Sequence, residues 1–365
     1  VQLGHSPNAC KLYLQKTVVE ATTERIEWIF DTFETISVSI SGGKDSTVLF
    51  ELAHREAIRR GRKINVFFLD QEAEYAATIE IIKDIMAKEL IVPCWYQVPC
   101  RMTNATSYED EWLYAWEPGA DWIHPKVDIS IKDPLPVDRF YRIMEWVDNN
   151  WGPNSCSLVG LRSEESLNRY SAVTRNPAIP GVNWSSRTTG GECMKLYPIY
   201  DWTFEDVWTF IGTEKLRYNP VYDWMYVKGF NIPEMRVSNL IHEKAYKCLA
   251  TLQEFEPDTY ERIVRRVKGV HIAARYGKSP QVFAARKLPH GFETWKAYRD
   301  FLLDTLPIPQ ETREVFIKRF AGQNENERVY RQQVHQLQIN DWENNVPVAN
   351  VKKKENPLEK WMEIL

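Results

Sequence analysis

The sequence predicts an α/β protein: a doubly wound, mainly parallel sheet followed by a helical C-terminal domain. Three observations predict it. Ile36, Val38 and Ile40 alternate with small polar residues and lead through Ser41-Gly42-Gly43-Lys44-Asp45-Ser46 into Val48, Leu49, Leu52, Ala53 and Ala57 at helical spacing. That is a strand turning into a helix. Ile64 to Leu69 is a nearly continuous apolar run, as a strand buried on both faces requires. From about Leu216 the pattern is helical, broken by Pro and Gly. The expected divisions are a helical lead-in over 1–34, a sheet domain over 35–215 and a helical domain over 216–365.

Taken in order, residues 1–34 begin loosely, then Val18, Val19, Ile26, Ile29, Phe30 and Phe33 form the stripe of a helix. After the first strand, the loop and its helix, the Ile64–Leu69 strand ends at Asp70-Gln71-Glu72. Polar side chains there stand on the carboxyl rim of the sheet, where open α/β sheets bind ligands. A helix from about Tyr75 carries Ile79, Ile82, Ile85 and Met86 on one face, and Ile91 to Val98 reads as a third strand. The stretch Pro99 to Pro136, with Trp112, Trp116 and Trp122, lacks periodicity and reads as a lid or a packed surface excursion. Asp138 to Trp151 is expected as a helix and Ser157 to Leu161 as a strand running into Arg162-Ser163-Glu164-Glu165-Ser166. A strand Lys195 to Ile199 then precedes a helix N-capped by Thr203, with Asp206 three residues on. Further helices are expected over Ile241–Phe255, Asp258–Tyr276, Phe292–Leu306 and Pro309–Phe320, with a polar tail from Gln323 and an exposed linker at Lys352-Lys353-Lys354.

With 44% hydrophobic and 26% charged residues the chain has the composition of a globular protein. A net charge of −4 supplies no global field for nucleic acid, so such a contact would need a local patch. No apolar run approaches a membrane span and no signal peptide opens the chain, so a cytoplasmic location without membrane contact is expected. The six cysteines form no C-x-x-C, and Cys94 and Cys100, the nearest pair, are separated by five residues. Neither a zinc site nor an iron–sulfur cluster is expected.

The chemistry concentrates in Ser41 to Ser46. Glycines allow an open turn and close approach, and the helix N-terminus behind them offers N–H groups to an anion. Spacing separates this cradle from better-known ones. A Walker A loop would have Gly where Val38 stands and Ser or Thr where Asp45 stands, and no G-x-G-x-x-G is present. Arg162 and Arg169, at the end of another strand, bring guanidinium forks suited to phosphate or sulfate oxygens. Asp45, in a turn rather than the core, is expected to tolerate Asn without loss of fold.

The string S-G-G-K-D-S after an apolar strand resembles the loop of the PP-loop ATP pyrophosphatase (adenine nucleotide alpha hydrolase-like) superfamily. Its members bind adenine nucleotides and usually split ATP between the α- and β-phosphates. Together with G-L-R-x-x-E-S-x-x-R at Gly160–Arg169, Y-P-I-x-D-W-T-F-E-D-V-W at Tyr197–Trp208 and Y-N-P-V-Y-D at Tyr218–Asp223, it resembles the phosphoadenosine phosphosulfate (PAPS) reductase domain family. The likeness covers roughly residues 20–225. It implies that Ser41, Gly42, Gly43 and Ser46 hold the pyrophosphate moiety, that Ser39 belongs to the same nucleotide-binding site, and that Lys44 offsets the charge. Asp45 would stand near Mg²⁺, and Arg162 and Arg169 would stabilise charge at the α-phosphate. Gly160, Leu161, Glu165 and Ser166 would complete that side, and Leu69 and Asp70 would take adenine and ribose. ATP, or a related adenine nucleotide, with Mg²⁺ is the expected ligand, and cleavage at the α-phosphate with adenylation of an unknown acceptor the expected reaction.

The chain departs from the reductases. Their C-terminal Glu-Cys-Gly-x-His has no counterpart, and the tail after Ala321 has no cysteine. After the Asn-Pro segment stands Phe230-Asn231-Ile232-Pro233, where cluster-bearing relatives have Gly-Cys. From Met235 to Val270 it is similar to the IbrA-like branch of bacteria and phages, some of whose members are encoded beside ParB-like partners. Two alternatives stay open: a sulfonucleotide reductase using an internal cysteine such as Cys193, and a non-catalytic nucleotide sensor regulating a DNA-binding partner. Between Asp258 and His290 the bases Arg262, Arg265, Arg266, Lys268, Arg275, Lys278, Arg286 and Lys287 face only Asp258 and Glu261. They suit a nucleic-acid surface or the lining of a cleft, and His271 and Tyr276 among them favour the cleft.

Overall fold

The computed structural model describes residues 15–103, 112–174, 177–232, 235–241, 246–267, 270, 288–306, 308–338, 340–344 and 348. The main sheet has six strands: β1 (Thr35–Ser39), β2 (Ile64–Leu69), β3 (Ile91–Tyr96), β6 (Ser155–Val159), β7 (Ser185–Arg187) and β8 (Met194–Leu196). Their order is β3-β2-β1-β6-β8-β7, with β7 alone antiparallel. A separate two-stranded ribbon pairs β4 (Cys100–Thr103) with β5 (Trp112–Ala115).

The order carries the functional consequence. From β1 the chain builds outward to β2 and β3, then returns to lay β6 on the other side of β1. The carboxyl ends of β1 and β6 therefore flank a topological switch point, where the connecting loops part and leave a crevice. The loop after β1 is the Gly-Gly turn, and the one after β6 carries Arg162.

The apolar patterns explain the packing. In β1, Ile36 and Val38 are buried, and the whole of α2 (Lys44–Arg60) from Val48 to Ala53 sits in the core except part of Glu51. These join α1 (Val18–Thr32), α3 (Ala76–Met86) and α6 (Phe204–Thr213) in one continuous cluster. Each fully buried aliphatic side chain there contributes about 1.5–3 kcal/mol. Thr17 and Glu20 form a capping box at α1, and Thr203 and Asp206 form the expected one at α6. The Y-P-I-x-D-W motif turns out to be an anchor for α1: Asp201 accepts two bonds from Arg25, at 2.8 and 2.6 Å, and the Trp202 indole donates to Thr22 at 2.8 Å.

Helices α4 (Phe140–Asn149), α5 (Leu167–Thr174) and α7 (Val221–Val227) complete this part, with a 3₁₀ turn at Ser163–Glu165. The chain divides into two compact units, Val1–Arg101 with Tyr114–Asn239, and Met102–Leu113 with Leu240–Leu365. The second unit contains α8 (Tyr246–Phe255), α9 (Pro257–Arg266), α10 (Trp295–Thr305), α11 (Gln310–Ala321) and α12 (Glu327–Gln338). Leu302, Leu303, Ile308, Phe316, Phe320, Val334 and Leu337 form one buried cluster in it.

Helix α12 corrects the expectation of a polar tail from Gln323. Two of its glutamines are buried and bonded: Gln333 accepts from Arg299 at 2.6 Å and donates to Gln323 at 2.8 Å, and Gln336 donates to Asn344 at 2.9 Å. Buried amides satisfied this way read as polar surface in a sequence. The Lys352-Lys353-Lys354 segment lies outside the described residues. No helix among the described residues is long and apolar enough to cross a membrane.

Candidate functional site

Gly42 makes the turn after β1 possible. Its φ is +68°, and a Cβ there would lie 2.8 Å from Thr78 Cγ2, so only glycine fits. Gly160 is constrained from outside: a Cβ would meet the Ser46 amide nitrogen at 3.0 Å and the Asp45 carbonyl carbon at 3.1 Å. The loop after β6 thus presses directly on the backbone of the first one. Within the turn, Ser46 Oγ accepts from the Ser41 amide at 3.2 Å and donates to the Gly43 carbonyl at 3.0 Å. Thr47 Oγ1 donates to the same carbonyl at 2.9 Å.

The Y-N-P-V-Y-D motif braces the turn from a third side. Asn219 Nδ2 donates to the Gly42 carbonyl at 3.2 Å and to Thr78 Oγ1 at 2.8 Å. The Tyr222 hydroxyl accepts the Lys44 amide at 3.0 Å. Sequence reasoning recognised this motif but assigned no site role to Asn219 or Tyr222; their spacing to the loop, 177 and 178 residues, carries no local signal.

The charged groups interlock. Asp45 Oδ2 pairs with Lys44 Nζ at 2.8 Å and Oδ1 with Arg162 Nε at 2.5 Å. Arg162, only 3% exposed, also pairs with Glu164 and, at 3.1 Å, with Glu165, which in turn holds Arg169. The Lys44 ammonium lies over the rings of Phe204 and Tyr222 at 5.7 and 5.6 Å. Burial pulls the Lys44 pKa below the ordinary lysine value, with Arg162 and Arg236 adding to it against the Asp45 contact. Burial also lowers Arg169. Three cations are therefore gathered at the switch point and held by the carboxylates of Asp45, Glu164 and Glu165. Such a set can exchange its carboxylates for phosphate oxygens.

Of the other sequence-identified residues, Ser39, Gly160 and Leu161 line the strand ends half-buried, while Ser41 and Ser166 are exposed. Leu69 and Asp70 are buried, and Asp70 faces inward. Its carboxylate accepts from the Glu72 amide (2.9 Å), the Trp95 indole (3.1 Å) and Gln97 Nε2 (2.9 Å), with His124 Nε2 at 3.4 Å. The Trp116 indole donates to the Asp70 carbonyl at 2.7 Å, and Glu72 accepts the Trp116 amide at 2.6 Å. The tryptophan-rich stretch is thus, over its described part, a segment tied to the end of β2. Burial would lower the His124 pKa, but the Asp70 carboxylate beside it outweighs this and raises it. Burial, with Asp70 nearby, pushes Glu74 up to about 8.

Cys193 is 1% exposed, and burial raises its thiol pKa. It precedes β8, whose Met194 pairs with Cys156 near the start of the parallel strand β6. Four strand residues, roughly 13 Å, separate that level from Gly160. Cys193 therefore stands at the opposite rim of the sheet. Of the basic cluster, Arg262, Arg265 and Arg266 lie on α9, where Arg265 pairs with Glu261; Lys268, His271, Arg275, Tyr276, Lys278, Arg286 and Lys287 lie outside the described residues.

Among the described residues no group of three or more His, Cys, Asp or Glu could hold a metal ion. Mg²⁺ bound to a nucleotide needs only one or two carboxylates beside the phosphates. Asp45, whose side chain is 15% exposed, supplies one, so the residues fit Mg²⁺ carried chiefly by the ligand.

Residues 35–228 match the phosphoadenosine phosphosulfate reductase domain, and residues 229–356 match a domain of unknown function, DUF3440. The uncharacterized protein YbdN of Escherichia coli (strain K12) is 29% identical over 333 residues, covering 85% of this chain and 80% of that protein. Among solved structures, the FMN adenylyltransferase of Candida glabrata with FAD and inorganic pyrophosphate is 13% identical, at a TM-score of 0.39 over 57% of this chain. The chain spans 59% of that protein, less than two thirds. The PAPS reductase of Candida auris, a phosphate complex, is 12% identical, at a TM-score of 0.33 over 59% of this chain and 94% of that one. At these TM-scores the structural likenesses carry none of the functional argument.

Proposed function

Because the chain belongs to the phosphoadenosine phosphosulfate reductase domain family, we propose that it binds ATP or a related adenine nucleotide and cleaves it at the α-phosphate. Pyrophosphate leaves and the adenylyl group passes to a second substrate. The observation that carries the reading is the junction of a glycine-only turn with Lys44, Arg162 and Arg169 at the switch point of the sheet.

The β- and γ-phosphates would lie on the turn, at the amides of Gly42 to Ser46 and the hydroxyls of Ser41 and Ser46. Lys44 would move from Asp45 to the phosphates, releasing Asp45 to hold Mg²⁺. When bound, that ion would neutralise part of the pyrophosphate charge. Arg162 and Arg169 would turn from Glu164 and Glu165 towards the α-phosphate, where charge grows as the acceptor attacks. The bond from the α-phosphorus to the bridging oxygen breaks, and pyrophosphate takes its electron pair. The Leu69–Asp70 end of β2 would take adenine and ribose, with the Asp70 carboxylate fixing the surrounding segment rather than touching the sugar. A cytoplasmic setting and, from the IbrA-like resemblance, a ParB-like partner belong to the same reading.

The reductase alternative would need a thiolate at the nucleotide, and the position of Cys193 does not favour it. The test sets pyrophosphate release from ATP beside thioredoxin-dependent sulfite release from PAPS. Pyrophosphate without sulfite supports adenylyl transfer, and sulfite without pyrophosphate replaces it. Binding of ATP with neither product, across candidate acceptors, favours a sensor.

A further inference from the structure

Lys44 opens α2, so its amide is one of the donors that a helix leaves unpaired and offers to an anion. That amide is already taken: it donates to the Tyr222 hydroxyl at 3.0 Å. The tyrosine is 3% exposed and held on two sides. Its amide donates to the Asn219 carbonyl at 3.2 Å, and its ring stands edge-on to Trp208, with centroids 5.3 Å apart. Burial raises the phenol pKa, so the hydroxyl keeps its hydrogen at physiological pH. Among the described residues no acceptor takes that hydrogen, although a buried tyrosine hydroxyl ordinarily has one.

Gly43 shows where the hydrogen can go. Its φ is −85°, which any residue adopts, so the backbone does not ask for glycine. A Cβ there would lie 3.2 Å from the Tyr222 hydroxyl and 3.3 Å from Ser41 Oγ, with nothing else within 4 Å apart from its chain neighbours. Two hydroxyls thus flank the bare face of Gly43, one from the loop after β1 and one from α7. Ser41 is exposed, so the slot between them is open on its side. The Lys44 ammonium, 5.6 Å from the centre of the Tyr222 ring, supplies positive charge beside it.

We infer that Tyr222 is a further phosphate-binding residue of this site: its hydroxyl accepts the Lys44 amide and donates its own hydrogen to a pyrophosphate oxygen seated over Gly43, opposite Ser41 Oγ. This rests on the nucleotide reading above. The Lys44 amide then reaches the anion through the phenol instead of directly. An O–H donating to a phosphate oxygen is charge-assisted and stronger than a neutral pair. Glycine at position 43 keeps the slot clear, since a methyl group would fill it.

Calorimetric titration of the full chain with inorganic pyrophosphate tests this, with the unliganded melting temperature measured beside it. Tyr222→Phe keeps the ring and loses the donor, and should bind pyrophosphate about ten- to a hundredfold more weakly. Asn219→Ala also removes a brace of the turn but no ligand contact, and should lose far less affinity for a comparable fall in melting temperature. Gly43→Ala, at a φ that suits alanine, should weaken pyrophosphate binding about tenfold. Affinity that falls in step with melting temperature in both Tyr222→Phe and Asn219→Ala overturns the inference, since bracing then accounts for Tyr222. So does unchanged or tighter binding to Tyr222→Phe, or wild-type affinity in Gly43→Ala. Each of these leaves the nucleotide reading intact. The expected losses in a protein that releases no pyrophosphate from ATP uphold Tyr222 and remove the catalytic reading. A wild type that binds no pyrophosphate overturns both.

Discussion

Replacing Asp45 with Asn removes one negative charge from between two buried cations. Its oxygens lie 2.8 Å from Lys44 Nζ and 2.5 Å from Arg162 Nε, and those side chains are 7% and 4% exposed. Breaking a buried ion pair by neutralising one partner typically costs about 3–5 kcal/mol. Arg162 keeps Glu164 and Glu165, and Asp45 itself is partly solvated, which lowers the expected cost to about 2–3 kcal/mol. In a unit of this size, about 1 kcal/mol shifts Tm by roughly 2–4 °C, so the unliganded variant should melt about 4–12 °C lower. Pyrophosphate bound at the loop restores negative charge beside both cations. The deficit should therefore shrink in saturating pyrophosphate, as scanning calorimetry with and without the ligand would show. An unliganded variant as stable as wild type, or a deficit that pyrophosphate leaves untouched, would refute the reasoning.

Arg162→Lys keeps charge but loses the fork, and should weaken pyrophosphate binding by about 1–3 kcal/mol in a titration. Gly160→Ala forces a methyl against the Ser46 and Asp45 backbone; it should cost about 1–3 kcal/mol of stability and weaken nucleotide binding measurably. Glu74, raised to about 8, takes up a proton on folding between its ordinary value and that one, so its contribution to stability is full in acid and lost as pH rises through about 8. Glu74→Gln should remove this decline, seen as a flatter denaturation midpoint from pH 5 to 8. Anion binding should raise the depressed pKa of Lys44 and so take up protons; pyrophosphate affinity should fall in alkali earlier than an ordinary lysine would allow.

Where residues near in sequence carry the structure, the sequence was readable. The alternation of Ile36, Val38 and Ile40, the two glycines and the helical spacing after Val48 are all local, and the strand, turn and helix stand where expected. The same holds for the Thr203–Asp206 cap. What escaped depends on distant partners. Asp45 reads as a tolerant turn residue until Arg162, 117 positions away, is placed against it. Asp70 reads as an exposed rim carboxylate until Trp95, Gln97 and Trp116 enclose it. Short strands such as β7, with three residues, hold too few positions for a period to emerge, and α12 hides its inner face behind bonded glutamines.

The central claim is that the Ser41–Ser46 turn holds the leaving pyrophosphate of an adenine nucleotide. The most direct measurement is a crystal structure with a non-hydrolysable α,β-methylene analogue of ATP and Mg²⁺. The account predicts the β- and γ-phosphates on the amides of Gly42 to Ser46, with Lys44 Nζ moved from Asp45 onto a phosphate oxygen and Arg162 turned to the α-phosphate. A nucleotide bound elsewhere, or one at the turn with the Lys44–Asp45–Arg162 pairs unbroken, would contradict it.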